Sequence, residues 1–211
     1  MNDVIPVLRG VSHFWTVWFA LAGAVVLVVL ADAGAPRISA VVYGVGLCSL
    51  FGGSALYHRW RWNPRWRPLL RRVDHSTIFV FIAASYTPIG LVVMDGPMQV
   101  VVLALVWAGA LAGVVFSLAW IDAPRWLQAV LYVTLGWVAV IALPQLVGRM
   151  HVAPLLLLGV GGVLYTTGAV VYARQRPDPW PATFGYHEIF HAFVIAAAVC
   201  HFVAMAGWVL F

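Results

Sequence analysis

Hydrophobic residues occur along this chain in seven long, continuous stretches separated by short polar segments. Each stretch is long enough to cross a hydrocarbon core of about 30 Å as a helix. The runs are continuous rather than alternating, which disfavours a transmembrane β-barrel. The pattern therefore predicts an all-α, polytopic bundle of seven transmembrane helices at residues 14–31, 38–57, 76–94, 98–120, 126–143, 152–172 and 187–211. No linker is long enough for a second domain, so we expect residues 1–211 to form a single domain.

The composition excludes two other classes of protein. Hydrophobic residues make up 64% of the chain and charged residues only 9%, whereas soluble domains have roughly 45–50% and about 25%. A soluble globule would lack the polar side chains needed to cover its surface. A disordered chain is excluded as well, because so much apolar area favours burial over disorder. We therefore expect the protein to be surrounded by membrane lipids.

The basic residues predict the orientation. The chain carries twelve arginines and no lysine, and basic residues concentrate in cytoplasmic loops. With the N-terminus in the cytoplasm, ten arginines lie on the cytoplasmic side and only Arg37 and Arg149 lie outside. The ten are Arg9, Arg59, Arg61, Arg65, Arg67, Arg71, Arg72, Arg125, Arg174 and Arg176. This predicts a cytoplasmic N-terminus and an external C-terminus. Because a topology signal explains the basic charge, no nucleic-acid partner is expected.

The first apolar stretch has an alternative interpretation as a signal peptide. Arg9 precedes the apolar run, and small residues follow it at 31–33. The run is too long for a typical signal-peptide core, and Trp15 and Trp18 suit the membrane interface where a helix begins. We therefore favour a transmembrane helix.

Ionisable groups at membrane depth indicate candidate chemistry, since each costs about 2.5–3.5 kcal/mol on insertion scales. They cluster at predicted helix ends: His13 opens the first helix, His58 ends the second, Asp74 and His75 open the third, and His187, Glu188 and His191 open the seventh. In the predicted topology the second helix ends, and the third and seventh begin, at the cytoplasmic face. His58, Asp74, His187 and His191 are therefore expected at one membrane depth.

Spacing within the helices predicts a metal site. His187 and His191 lie four residues apart, on one helical face, and two imidazoles so placed can bind one Zn²⁺ ion. His58 is the best-placed third ligand. Ser54 lies one turn deeper on the same face as His58 and could orient a ligand or hold a water molecule. His201 is roughly 21 Å along the axis from His187, too far for the same ion, and we interpret it as a hydrogen-bonding core histidine.

The string from His187 to His191 also matches H-E-x-x-H, the zinc metalloprotease signature. That signature usually needs a third ligand further along the chain. No acidic residue follows Glu188, and Ala197 stands where the extended signature has its third histidine. We therefore expect Glu188 to lie off the metal face and to point at another helix or at the interface. A protease stays a minor alternative.

Taken in order, Ser54-x-x-x-His58, Asp74 and His187-x-x-x-His191 resemble the hemolysin III family, which belongs with the adiponectin and progestin receptors and is more distantly related to alkaline ceramidases. The segment Arg9-Gly10-Val11-Ser12-His13 also looks like that family's N-terminal pattern. The resemblance covers essentially the whole chain. It implies one zinc ion near the cytoplasmic end of a seven-helix bundle, held by His58, His187 and His191. Asp74 would hold the zinc-bound water and Ser54 would support it. The chain departs from the pattern at Glu188, which leaves the identity of the base open.

These expectations favour a zinc-dependent hydrolase of a lipid amide or ester, involved in membrane lipid homeostasis. Three histidines and one open position are typical of catalytic zinc, and Asp74 would accept the proton. The short chain looks like a bacterial member, which predicts the inner membrane. One alternative is a non-enzymatic sensor or regulator whose zinc is structural. Another is a cytolytic pore, disfavoured because the polar groups lie at one end. The lipid substrate and the oligomeric state stay open.

Overall fold

The computed structural model describes residues 6–210 and contains seven long apolar helices. They are α1 (Val11–Leu30), α2 (Ala35–Arg59), α3 (Arg67–Val93), α4 (Gly96–Ala119), α5 (Arg125–Arg149), α6 (Val152–Arg174) and α7 (Tyr186–Val209). Helices α3 and α7 close with wider π turns at Ile89–Val93 and Met205–Val209. No β-strand occurs among residues 6–210. The predicted all-α fold is confirmed, and the chain is a multi-pass membrane protein surrounded by lipids. The predicted end of the last helix at residue 211 lies outside the described residues.

The start of α3 differs from the prediction. The helix begins at Arg67 rather than at residue 76, so Asp74 and His75 lie about two turns inside it and do not open it. The prediction followed hydropathy, and the first two turns of α3 are rich in arginine, which hides them from a search for apolar residues. Pro68 stands in the first turn, where its missing N–H has no intrahelical acceptor to lose.

Helix α5 changes its winding halfway along. Its residues Trp137–Ala142 form a tight 3₁₀ segment between two α-helical parts. The Tyr86 hydroxyl of α3 donates a hydrogen bond to the Gly136 carbonyl at 2.5 Å and accepts one from the Ala139 N–H at 2.7 Å. Tyr86 thereby supplies hydrogen-bond partners to backbone groups of the irregular segment. Such groups need partners within the protein, because the interior of a membrane offers no water. This contact fixes α5 against α3.

The helices pack in chain order, and α7 contacts α1, which closes the bundle. Helices α2 and α3 are the most deeply buried. Glycines on two faces of α2 explain its position between α1 and α3: a Cβ at Gly44 would lie 2.7 Å from the Cβ of Ala24, and one at Gly46 would lie 2.5 Å from that of Ala84. Small residues let membrane helices approach closely. The close packing of α2 against α3 brings the C-terminal end of α2 beside the first turns of α3.

Successive loops lie at alternate ends of the bundle. At one end, the Arg71 guanidinium at the start of α3 donates to the carboxylate of Asp122 in the α4–α5 loop at 2.9 Å. At the other end, Arg149 of α5 pairs with Asp95 between α3 and α4. We call the first end, which carries the loops 60–66, 120–124 and 175–185, the arginine-rich end. That it faces the cytoplasm stays a prediction from the distribution of arginines.

Candidate metal centre

Three histidines meet at the arginine-rich end. His58 lies in the last turn of α2, and His187 and His191 lie in the first two turns of α7. One ring nitrogen from each can be chosen so that all three lie within 4.8 Å of one another. Nε2 of His58 is 3.2 Å from Nε2 of His187, across 129 residues of chain. The structure therefore brings together the three residues that the spacing and the order of helices singled out.

The geometry of this group suits a metal ion. Nitrogens bound tetrahedrally to zinc, at about 2.0–2.1 Å each, lie roughly 3.3 Å from one another. The 3.2 Å between the two Nε2 atoms of His58 and His187 matches this separation. Imidazole is also a preferred ligand of zinc and of related transition metals. The buried group formed by His58, His187 and His191 could therefore hold a metal ion.

Two further predicted residues lie beside the histidines. Oδ2 of Asp74 is 3.3 Å from Nε2 of His58, and the Asp74 side chain is buried. Ser54 is also buried, one turn before His58 on α2. Four residues line the same cavity: Ser54, Asp74, His187 and His191. The geometry places a carboxylate and a hydroxyl next to the histidine group.

His13 is the residue that the sequence analysis left outside the site. Its ring stacks on that of His191, with centroids 3.7 Å apart and planes inclined by 10°. It is only 2% exposed, and neither ring nitrogen has a hydrogen-bond partner among residues 6–210. The stacking restricts rotation of the His191 ring. The predicted topology could have indicated that His13 lies near His191, because α1 and α7 begin at the same face of the membrane.

Residues 6–10, just before α1, cover the histidine group at the arginine-rich end. The N–H of Val7 donates to the carbonyl of Ala182 in the α6–α7 loop at 3.1 Å. Gly10 has a left-handed φ of 74°, which residues other than glycine rarely adopt. A Cβ at Gly10 would also lie 2.7 Å from the Cβ of His58. Glycine is therefore needed here both for its conformation and for the close approach to His58.

Glu188 lies off the metal face, as expected from the sequence. Its Oε1 accepts a hydrogen bond from Nε of Arg9 at 2.5 Å, and its Oε2 accepts one from the N–H of Gly185 at 2.8 Å. The second bond satisfies a backbone N–H next to the first turn of α7. Glu188 is 4% exposed. It therefore ties the N-terminal segment to the start of α7.

We expect the substitution Glu188→Gln to lower stability without removing a metal ion. Glutamine keeps an acceptor for Gly185 but leaves the largely buried charge of Arg9 without its partner. Breaking such a pair should destabilise the fold by about 2 kcal/mol, less than for a fully buried pair because the Arg9 side chain is 19% exposed. Thermal unfolding in detergent measures the stability, and elemental analysis measures the metal content.

The matched control is Asp122→Asn, which breaks the ion pair with Arg71. The Asp122 side chain is 81% exposed, and exposed pairs contribute little, typically about 0–1 kcal/mol. If Glu188→Gln lost its metal at unchanged stability, Glu188 would belong to the metal site and the protease alternative would return.

The cavity extends from the histidine group towards the other end of the bundle. Between its ends it is lined by apolar side chains that include Leu50, Ile78 and Val194. His201 also lines it, ten residues beyond His191 on α7, which is about 15 Å along the helix axis. Nε2 of His201 lies 3.3 Å from the carbonyl oxygen of Leu158 on α6. The predicted hydrogen bonding of His201 is confirmed.

The similarity to known proteins extends over nearly the whole chain. The profile of a family described as Haemolysin-III related matches residues 4–202. The chain is 31% identical over 165 residues to the Hemolysin-3 homolog of Bacillus subtilis, covering 78% of this chain and 74% of that protein. It is 30% identical over 175 residues to Hemolysin-3 of Bacillus cereus, covering 82% and 76%. It is 30% identical over 188 residues to the heptahelical transmembrane protein ADIPOR2 of rice, covering 82% of each.

Proposed function

The chain belongs to the hemolysin III family, and on that basis we propose that it is a zinc-dependent hydrolase of lipid amides or esters, acting in membrane lipid homeostasis. One observation carries the proposal: the three histidines converge beside a cavity that His187 and His191 line and whose walls are mainly apolar. A cavity of this kind accommodates an acyl chain and leaves its polar end beside the histidines. A metal that served only to hold helices together would not require such a space.

We propose zinc as the metal, held by His58, His187 and His191. Three histidine ligands leave one of four tetrahedral positions open, as in catalytic zinc sites. When bound, zinc supplies a Lewis acid that makes water nucleophilic near neutral pH and polarises a carbonyl.

Asp74 is the proposed general base. Its buried carboxylate contacts His58 at 3.3 Å and lines the cavity, so it can accept a proton from the attacking water and orient that water towards the substrate carbonyl. Ser54, one turn deeper, positions the polar end of the substrate. Glu188 is a poor base for this reaction because Arg9 and Gly185 already engage its two oxygens.

The orientation belongs to the same proposal. With the arginine-rich end in the cytoplasm, the N-terminus is cytoplasmic, the C-terminus is external, and residues 1–211 form a single domain in the bacterial inner membrane. The histidine group then lies near the boundary between acyl chains and headgroups of the inner leaflet. Lipid ester and amide carbonyls lie at the same depth, which is where the site can reach them.

The test is hydrolysis of a library of acyl lipids by zinc-loaded, detergent-purified protein. We expect fatty acid to be released from one lipid class, release to stop on chelation, and zinc to restore it. His191→Ala should lose activity by at least about a hundredfold. Full turnover by that variant would refute the proposal. A protein that loses thermal stability on chelation but hydrolyses nothing would support the non-enzymatic regulator with structural zinc instead.

A further inference from the structure

Two buried polar groups meet at the far end of the cavity, where the proposed chemistry does not use them. The rings of Tyr165 on α6 and His201 on α7 lie 5.4 Å apart, nearly perpendicular. Both residues line the cavity. The Tyr165 hydroxyl and Nδ1 of His201 are buried and have no hydrogen-bond partner among residues 6–210. Buried polar groups are almost always hydrogen-bonded, so this pair offers a place for a polar ligand group.

The contact with Leu158 fixes the hydrogen bonds that this pair can make. The carbonyl of Leu158 can only accept, so Nε2 of His201 must donate to it. In that tautomer Nδ1 carries a lone pair and is an acceptor. The Tyr165 hydroxyl can donate. A ligand group that donates to Nδ1 and accepts from Tyr165 satisfies both, and a hydroxyl offers both a donor and an acceptor.

The backbone of α6 is adapted to hold His201 in this position. A Cβ at Gly161 would lie 2.3 Å from Cδ2 of the His201 ring, so any larger residue would displace the imidazole. Gly161 therefore lets the ring lie directly against α6, facing Tyr165 one turn further along the same helix. The two polar groups are held by packing rather than by a flexible loop.

The cavity thus has two polar ends. His191 marks one and His201 the other, about 15 Å apart along α7, and the walls between them are mainly apolar. We propose that the cavity binds an acyl chain that carries a hydroxyl group, with its carbonyl end at the histidine group and its hydroxyl between Tyr165 and His201. The inference rests on the proposed function for the position of the carbonyl end.

The experiment compares two fatty acids, stearate and hydroxystearate with its hydroxyl on the twelfth carbon, as ligands of the zinc-loaded full chain in detergent. We expect hydroxystearate to bind roughly tenfold more tightly, the gain typical of added hydrogen bonds in a buried site. Tyr165→Phe removes one oxygen atom and should reduce the preference, because the ligand hydroxyl then keeps only its hydrogen bond to Nδ1 of His201.

Ser39→Ala is the matched control. It removes another buried hydroxyl that has no partner among residues 6–210, from a residue that lies outside the described lining of the cavity. The preference should survive in this variant. Equal affinities in the wild-type protein, or an undiminished preference in Tyr165→Phe, would overturn this inference and leave the hydrolase intact. If neither acid binds in a zinc-dependent way, both proposals fail. A tenfold preference in a protein that hydrolyses nothing would refute the hydrolase alone.

Discussion

His191→Ala is expected to empty the metal site. Zinc content should fall from about one ion per chain to none after dialysis, because the variant loses one of three ligands. Mutation of residues that merely orient metal ligands already costs roughly 10–100-fold in affinity, so loss of a ligand should cost at least about a hundredfold. Elemental analysis of the purified protein measures the content, and chelation of the wild-type protein should lower its Tm by linkage.

The matched control for this loss is His151→Ala. His151 is exposed in the loop between α5 and α6, at the end opposite the histidine group, so the same substitution should leave the zinc content unchanged. His58→Ala should empty the site as His191→Ala does, since Nε2 of His58 lies within 3.2 Å of Nε2 of His187. Retention of a full complement of zinc by His58→Ala would mean that the metal is bound elsewhere.

Asp74→Asn should separate catalysis from metal binding. Asparagine has nearly the same volume and can still accept a hydrogen bond, but it cannot take up the proton. General bases contribute about 10²–10⁴-fold, so lipid hydrolysis should fall by that factor while zinc content stays near the wild-type value. The two measurements are the hydrolysis rate at saturating lipid and the metal content of the same sample.

Two other results with Asp74→Asn would change the mechanism. Loss of zinc together with activity would make Asp74 a ligand rather than the base. Full turnover at normal zinc content would remove Asp74 from the chemistry. Asp122→Asn serves as the control here as well, because it neutralises an exposed carboxylate in the α4–α5 loop without approaching the histidines.

The helix count and the convergence of His58, His187 and His191 were predictable because lipid imposes simple rules. A crossing needs about 20 apolar residues, and successive crossings alternate in direction. The parity of the crossings therefore places the end of α2 at the same face as the start of α7, which puts His58 and His187 at the same depth. The i,i+4 spacing supplies His191 without knowledge of any other helix. The start of α3 at Arg67 was missed because its arginines hide the first turns from a hydropathy pattern.

The sequence by itself determined the seven apolar crossings and the depth at which His58, His187 and His191 lie, because both follow from local periodicity and chain order. Only the tertiary structure decided what surrounds them: His13 stacked on His191, Gly10 against His58, and the cavity with Tyr165 and His201 at its far end. These contacts depend on the rotation and separation of helices distant in sequence. The packing of many side chains at once sets this rotation and separation, and the pattern of residues along one helix does not predict it.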